Sequence, residues 1–203
     1  MKISTIPMKE TIRPKNDGAL NIRRPSANDR EKLRDMFDRL SEKSIHHRFH
    51  MPYPSVPEWM AVHLSKANRP GEGSLVAVAE GEIIAHAMYV VESLGEAEMA
   101  VMVEDRWQSR GVGKLLLFHL ALEAKRRGVE TFTAVVLGEN RRMLGLLDTV
   151  FANVEYVAGG GAYKVRVPLS ALKPVSKLEV LDAPNGESRR VEAAPHQEIE
   201  KVA

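Results

Sequence analysis

The sequence predicts a mixed α/β domain, with a mostly antiparallel sheet of six to seven strands flanked by about four helices. Apolar residues recur at helical spacing early in the chain and again in a long stretch around residues 113–127. Between these helices, β-branched and alanine-rich runs follow one another across short turns, as in antiparallel hairpins. With 203 residues, of which 44% are hydrophobic and 28% charged, the chain has room for one compact domain with tails.

We place that domain at residues 20–169, between an N-terminal tail at 1–19 and a C-terminal extension at 170–203. The tail lacks periodicity, although Ile3 to Pro7 could add a short edge strand. The extension mixes prolines with charges of both signs, and only Leu178 to Leu181 is strand-like. We expect it to be partly disordered or to bind a partner. If that partner is a second copy of the chain, the protein is a homodimer.

The first part of the domain carries one strand and two helices. Leu20 to Arg23 predicts the strand. Ser26, with Asp29 three residues later, resembles the N-cap of a helix that buries one apolar stripe. A second short helix is expected over Val56 to Leu64, with Pro57 tolerated in its first turn.

The rest of the domain alternates strands with two longer helices. Residues 74–80 and 82–91 form a hairpin across Gly81, and 96–103 is a third strand with alternating faces. The later elements are a helix at Gly113 to Arg127 that stops at Gly128, a strand at Thr131 to Leu137, a helix at Asn140 to Val150, and a terminal hairpin of Val154 to Ala158 with Ala162 to Val167.

Composition excludes several classes of function. Cysteine is absent, so the chain has no thiol nucleophile, disulfide framework, Cys-ligated zinc or iron–sulfur cluster. A net charge of +2 gives no overall attraction for nucleic acid. The longest nearly apolar run, Ile83 to Val91, is far shorter than the roughly 20 residues that cross a bilayer, and the N-terminus lacks a signal-peptide core. We therefore expect a cytoplasmic protein without nucleic-acid or membrane partners.

The sharpest motif joins the third strand of this series to the long helix. Its seven residues are Gln108, Ser109, Arg110, Gly111, Val112, Gly113 and Lys114. A helix N-terminus offers unpaired N–H groups and the positive end of a dipole, and the two glycines let an anion approach the backbone. Phosphate is the natural ligand. The spacing is neither that of a P-loop nor that of a dinucleotide fingerprint, which disfavours nucleotide hydrolysis and hydride transfer.

This motif resembles the pyrophosphate loop of the GNAT superfamily of N-acetyltransferases, Gln/Arg-x-x-Gly-x-Gly/Ala, and the order of the surrounding elements over 20–169 follows that superfamily. Three further stretches are similar to the catalytic domain of bacterial protein lysine acetyltransferases that modify acyl-CoA synthetases. They are Ser41 to Phe49, which has the form Ser-x-x-Ser-x-x-x-Arg-Phe, Glu98 to Val103, and 139–144. The resemblance implies a GNAT fold in which two neighbouring strands splay apart.

Acetyl-CoA is the cosubstrate that this resemblance implies. Its pyrophosphate would lie on the backbone amides of Arg110 to Lys114, and its pantetheine arm between the strands at 96–103 and 131–137. Main-chain groups of Val101, Met102 and Val103 would pair with pantetheine, and one nearby N–H would polarise the thioester carbonyl. Asn140 would begin the helix that follows the strand at 131–137. Arg142 or Lys114 could reach the 3′-phosphate.

Glu98 is the residue that resembles the general base of the subgroup. Amine acetylation needs a base, because a lysine with a pKa of about 10.4 is almost wholly protonated at neutral pH. Glu96 and Glu104 are the alternatives on or next to the same strand. We expect burial of Glu98 on this strand to favour proton acceptance near neutrality.

A general acid cannot be assigned from the resemblance. The tyrosine that usually acts as general acid in GNAT enzymes would stand at Leu147. The CoA thiolate therefore leaves without a proton donor, takes a proton from water, or receives one from Tyr89 or Tyr156. The histidines at 46, 47 and 50 lack a second ligand cluster, so we predict no metal site.

Three functions stay open at this point. The first is acetylation of a protein lysine, with an acyl-CoA synthetase as the acceptor to test. The second keeps the chemistry but has a small amine as acceptor, because acceptor pockets in this fold are built by variable elements. The third is a non-catalytic acyl-CoA-binding module, suggested by the missing tyrosine at Leu147.

Overall fold

The centre of the protein is an eight-stranded sheet, seen in a computed structural model that describes residues 10–12, 20–51, 58–65, 69–173, 178–181 and 188–191. Its strands are Glu10–Ile12 (β1), Leu20–Arg23 (β2), Glu72–Ala79 (β3), Glu82–Ser93 (β4), Glu96–Val103 (β5), Thr131–Leu137 (β6), Glu155–Gly159 (β7) and Ala162–Pro168 (β8). They lie in the order β1-β2-β3-β4-β5-β6-β8-β7. Every neighbouring pair is antiparallel except β5 and β6, which run parallel.

This sheet confirms the predicted fold class and adds one short edge strand, β1, to the six to seven expected. The predicted edge strand at Ile3 to Pro7 lies outside the described residues. Beyond the sheet, Leu178–Leu181 (β9) is a strand as predicted, and it pairs antiparallel with Ser188–Val191 (β10). The boundaries at 20 and 169 stay predictions.

Five α-helices are present in the described ranges. They are Arg30–Asp38 (α1), Glu42–Phe49 (α2), Glu58–Ser65 (α3), Val112–Arg126 (α4) and Arg141–Val150 (α5). The helices α4 and α5 begin or end within one residue of their predicted bounds. The prediction of about four helices omitted α2, whose apolar side is only Ile45 and Phe49, both partly buried against the core.

The helices cover both faces of the sheet. On one face α4 buries Leu116 and Leu120 against the strands, together with Tyr89 and Phe132. On the other face α1 and α3 pack over β3, β4 and β5, with Phe37 and Leu64 in the same cluster as buried strand residues. None of the helices in the described part of the chain is long and apolar enough to span a bilayer.

The parallel strands β5 and β6 separate after a short paired stretch. Their register pairs are Glu96 with Thr131, Ala97 with Phe132 and Glu98 with Thr133. Beyond Glu98, β5 stays paired with β4 as far as Val103, and beyond Thr133, β6 stays paired with β8. The two strands therefore form a fork, which confirms the predicted splayed pair.

Candidate active site

A cavity of about 1090 Å³ occupies the fork between β5 and β6. Residues from both strands line it, and so do residues from α2, from the turn before α4 and from α5. Val135 of β6 is 45% exposed although it is hydrophobic and lies on an inner strand. Its side chain faces this cavity. The volume is slightly above the roughly 300–1,000 Å³ of pockets that bury most of a small ligand.

Two glycines shape the turn between β5 and α4. Gly111 is the N-cap of α4 and has a φ of 82°, a left-handed conformation that costs other residues energy. At Gly113, a Cβ atom would lie 3.4 Å from both Leu146 Cδ2 and Val103 Cγ2. Glycine therefore lets the first turn of α4 pack closely against β5 and α5. The N–H groups of that turn have no partner within the helix.

Gln108 ties three elements together. Its Nε2 donates to the carbonyl oxygen of Val103 at 3.0 Å and to Ser44 Oγ at 3.1 Å, and its Oε1 accepts from Arg142. Since both polar atoms of the side chain already have partners, Gln108 fixes the conformation of the turn. The backbone amides of the turn stay available to bind an anion.

Most of the predicted cofactor-binding residues are brought to the cavity. Those that line it are Val101, Met102, Val103, Gln108, Ser109, Gly111, Gly113, Lys114, Asn140 and Arg142. Arg110 and Val112 are not among the lining residues. The Arg110 guanidinium lies 5.2 Å from the centre of the Trp107 ring, and Val112 is 1% exposed within the core. Asn140 is the N-cap of α5, where its side chain accepts from the Met143 backbone N–H at 3.1 Å.

Glu98 is the only one of the three candidate bases that lines the cavity in the described structure. Its side chain is exposed rather than buried, which corrects the expectation, because the strands separate at this residue and open its face to the cavity. Glu96 lies 2.6 Å from Arg166 in a surface ion pair. Glu104 is 3% exposed and is held by Arg39 at 3.0 Å and Arg106 at 2.5 Å.

Neither candidate tyrosine stands in the cavity wall. Tyr89 is 1% exposed and packs against Phe132, with ring centres 5.8 Å apart. Tyr156 donates to Asp148 Oδ1 at 2.7 Å, and burial together with this carboxylate raises the pKa of Tyr156. Leu147 is fully buried in the core. The described residues therefore supply no tyrosine for the departing thiolate.

Asp105 connects α2 to the end of β5. Its Oδ2 accepts from the Ser41 backbone N–H at 2.9 Å, and its Oδ1 accepts from the hydroxyls of Ser41 at 2.8 Å and Ser44 at 2.9 Å. Burial alone would raise the pKa of the Asp105 carboxyl, but these hydrogen bonds outweigh it and lower the pKa. The Ser-x-x-Ser spacing was visible in the sequence, whereas its acidic partner, 61 residues beyond Ser44, was not.

The helix α2 carries two further residues into the cavity wall. His47 Nε2 lies 3.3 Å from Glu139 Oε1, and Arg48 lines the same cavity as Glu98. The sequence motif Ser-x-x-Ser-x-x-x-Arg-Phe contains both positions, but it gave no role for them. Within the described ranges, no group of three or more acidic or histidine side chains is placed to hold a metal ion.

Comparison with known proteins places this geometry in a family. A family model described as the acetyltransferase (GNAT) family matches residues 33–149, which is more than half of the chain. The chain belongs to the GNAT family. It is therefore an acetyltransferase of the class that uses acetyl-CoA, as the resemblance in its loop and strand motifs predicted.

Individual GNAT relatives agree with this assignment. The acetyltransferase Pat of Mycolicibacterium smegmatis is 38% identical over 76 residues, which are 36% of this chain and 23% of that protein. The matched segment thus spans less than a quarter of that relative's length. The GNAT domain of S. lividans PAT superposes with a TM-score of 0.68 and 27% identity, covering 74% of this chain and 90% of that one.

A third neighbour has the same fold with acetyl-CoA bound. It is a GNAT phosphinothricin acetyltransferase from Sinorhizobium meliloti, with a TM-score of 0.61 and 19% identity over 76% of this chain and 92% of that one. At this identity the likeness concerns the fold alone.

Proposed function

We propose that this GNAT protein transfers the acetyl group of acetyl-CoA to a protein lysine, with Glu98 as the general base. The observation that carries the proposal is the position of Glu98 at the last register pair between β5 and β6, where the fork opens. Its carboxylate faces the cavity, while Glu96 and Glu104 are engaged by arginines elsewhere.

The residues of the fork fit acetyl-CoA. The free N–H groups at the start of α4 suit its pyrophosphate, and Lys114 in the cavity wall adds a positive charge there. Between Ala100 and Val103, β5 has no register partner on β6, so main-chain groups in the fork are available to pantetheine amides. We assign the turn at 108–114 and β5 residues 101–103 to cofactor binding on these grounds.

In this scheme the chain's main chemical task is to remove a proton from the amine. Acetyl-CoA supplies the acetyl group as a thioester, and the amine nitrogen forms the new C–N bond while the C–S bond breaks. The Glu98 carboxylate takes the proton that the amine loses, directly or through a water in the open cavity. With Leu147 and Tyr89 in the core, the thiolate takes its proton from water.

A protein lysine is favoured as acceptor by two features. Ser41 to Phe49 and Glu98 to Val103 resemble the corresponding segments of bacterial protein lysine acetyltransferases. In addition, the exposed Glu98 and the basic side chains of Lys43 and Arg48 in the α2 wall differ from a narrow acidic pocket that would trap a small polyamine.

Matched substitutions on β5 test the proposal. Glu98→Gln and Glu96→Gln change the same group two residues apart, and only the first lies in the cavity. With an acyl-CoA synthetase as acceptor and thiol release as readout, Glu98→Gln should lower kcat by about 10²–10⁴-fold. Glu96→Gln should keep the wild-type rate, because a surface ion pair contributes about 0–1 kcal/mol. Calorimetry should show unchanged acetyl-CoA affinity in both.

Three results would contradict parts of this scheme. Full activity in Glu98→Gln removes the base assignment. Turnover with small amines but not with the synthetase moves the acceptor to a small molecule. Binding of acetyl-CoA without turnover on either set of acceptors favours a non-catalytic acyl-CoA-binding module.

A further inference from the structure

Two opposite charges line the acceptor end of the cavity without pairing with each other. Glu98 and Arg48 both face it. Among the residues that the structure describes, Arg48 forms no ion pair within 4 Å, although the Glu98 carboxylate attracts it at longer range. Its polar contact is with Met88 Sδ at 3.8 Å, and its guanidinium lies 4.8 Å from the centre of the Phe49 ring.

The other groups that contact Arg48 or respond to its charge are uncharged or positive. Burial lowers the pKa of the Arg48 guanidinium, and Glu98 opposes this effect. Burial and the charge of Arg48 lower the pKa of His86 to about 3, so that ring is neutral and engaged with Ser74 Oγ at 2.8 Å. The pKa of His50 is also lowered, by burial and by nearby positive groups that include Arg48. Glu98 is thus the acidic group whose charge raises the pKa of Arg48 against the effect of burial.

The position of Arg48 separates it from the phosphate end of the cavity. Its guanidinium contacts Met88, which is the register partner of Ala100, two residues from Glu98. The phosphate-binding turn begins at Gln108, beyond the other end of β5, and is tied to α2 one helical turn earlier, at Ser44. Arg48 therefore belongs with the base rather than with the cofactor phosphates.

A guanidinium in this setting has unused bonding capacity. It carries five N–H donors in a planar fork that matches a carboxylate, while a thioether is a weak acceptor. A half-buried positive charge is stabilised most by an anion that arrives with the ligand. An ammonium group, in contrast, is attracted to Glu98 and repelled by Arg48.

We propose that Arg48 binds a carboxylate of the acceptor, so that the substrate class is an amine that also carries an acidic group. Its amine is placed at Glu98 and its carboxylate at Arg48. The inference rests on the proposed function for the amine end of the site. A free amino acid and a lysine beside an acidic residue present the same pair of groups.

Matched acceptors test this charge pairing. The first set compares ω-amino carboxylates of two to six carbons with their amides. The second compares lysine tripeptides flanked by Asp with the same peptides flanked by Asn. We expect wild-type kcat/KM to favour the acidic member of at least one set by about 10- to 100-fold. The set that shows the preference identifies the source of the carboxylate.

Variants of Arg48 separate recognition from folding. Arg48→Gln should abolish the acidic preference, Arg48→Lys should keep part of it, and Arg48→Glu should shift it toward peptides flanked by Arg. The control is Arg69→Gln, at an exposed position outside the cavity, which should keep the wild-type preference. A purely structural role for Arg48 would lower turnover of acidic and neutral acceptors alike, and that result would overturn the proposal.

Binding without turnover keeps this test independent of the catalytic proposal. Calorimetry of the CoA-saturated protein with each ω-amino carboxylate and its amide measures the same preference directly. Arg48-dependent binding of the carboxylates with no acetylation would refute the acetylation proposal and support this one. Acetylation of the carboxylates and their amides at equal rates by the wild type would support the acetylation proposal and refute the role of Arg48.

Discussion

The two halves of the cavity are built in different ways. The half proposed to bind acetyl-CoA is made mainly of backbone, in the fork between β5 and β6 and in the turn around Gly111. The half proposed to bind the acceptor is made of side chains, chiefly Arg48 on the short helix α2 and Glu98 on β5. Backbone suits a ligand that GNAT acetyltransferases share, whereas side chains on a separate helix can change with the acceptor.

A hydrogen-bonded network joins these halves. Asp105 holds the N-terminus of α2, and Gln108 links Ser44 to the main chain of β5 and to Arg142 on α5. Because α2 also carries Arg48, the network sets how far the acceptor wall stands from the cofactor turn. Disrupting each half separately should therefore produce different kinetic signatures.

Among substitutions that separate the two halves, the largest effect is expected from Asp105→Ala, which breaks the contact with α2. Hydrogen bonds to a charged group contribute about 1.5–3 kcal/mol, so kcat/KM for the acceptor should fall by about 10- to 100-fold. The turn at 108–114 keeps its own contacts, so acetyl-CoA affinity should change by less than about threefold. Steady-state kinetics and calorimetry measure the two quantities. Asp38→Ala, at an exposed position on α1, is the control.

The same carboxylate predicts a pH dependence. Its pKa is lowered in the folded protein, so its stabilising contacts are complete above the ordinary aspartate range and are lost as pH falls through the folded-state value. The ratio of wild-type to Asp105→Asn kcat/KM should therefore stay constant from about pH 6 to 9, far above the reference pKa of about 3.9. A ratio that changes within this window would mean that Asp105 is not the group that holds α2.

A smaller effect, confined to the cofactor half, is expected from Gly111→Ala. A left-handed conformation costs a residue with a Cβ atom about 1–2 kcal/mol, so the turn should shift and weaken acetyl-CoA binding by about 5- to 30-fold. The matched control is Gly128→Ala. Gly128 follows the other end of α4, with a φ of 85° and nothing within 4 Å of its added Cβ atom.

These two glycine variants separate backbone strain from binding. Both should lower the unfolding temperature by a similar amount, because they impose the same strain at opposite ends of one helix. Calorimetry should show weaker acetyl-CoA binding in Gly111→Ala alone. Equal affinity in the two variants would remove the turn from the cofactor site.

The contrast between the halves also explains what the sequence could predict. The strands β2, β5 and β6 have the predicted bounds, since their alternation and β-branched content are local signals. The phosphate turn was recognisable because its glycines are required by local geometry. Helix α2 was not predicted, because it has few apolar residues and its N-terminus is held by Asp105, which is distant in the sequence.

Side-chain environments in the site depend on tertiary structure in the same way. Glu98 was expected to be buried, and it is exposed because β5 and β6 separate at that residue. Tyr89 was a candidate acid and lies in the core instead. The role proposed for Arg48 depends on its contact with Met88 and on its place in the same cavity as Glu98, neither of which a local sequence pattern encodes.

The smallest effect on catalysis is expected from substitutions of Leu147, which stands where GNAT enzymes usually have a tyrosine. Leu147 is fully buried, so Leu147→Tyr would force a ring and a hydroxyl into the core at a cost of about 1–3 kcal/mol. A loss of this size lowers the unfolding temperature of a domain of this length by a few degrees, at about 2–4 °C per kcal/mol. Leu147→Met, which nearly conserves volume, should stay close to the wild type. Since the side chain does not face the cavity, kcat should not rise in either variant. A rise in kcat in Leu147→Tyr without loss of stability would show that this face of α5 reaches the thioester, and the leaving thiolate would then have a protein proton donor within its reach.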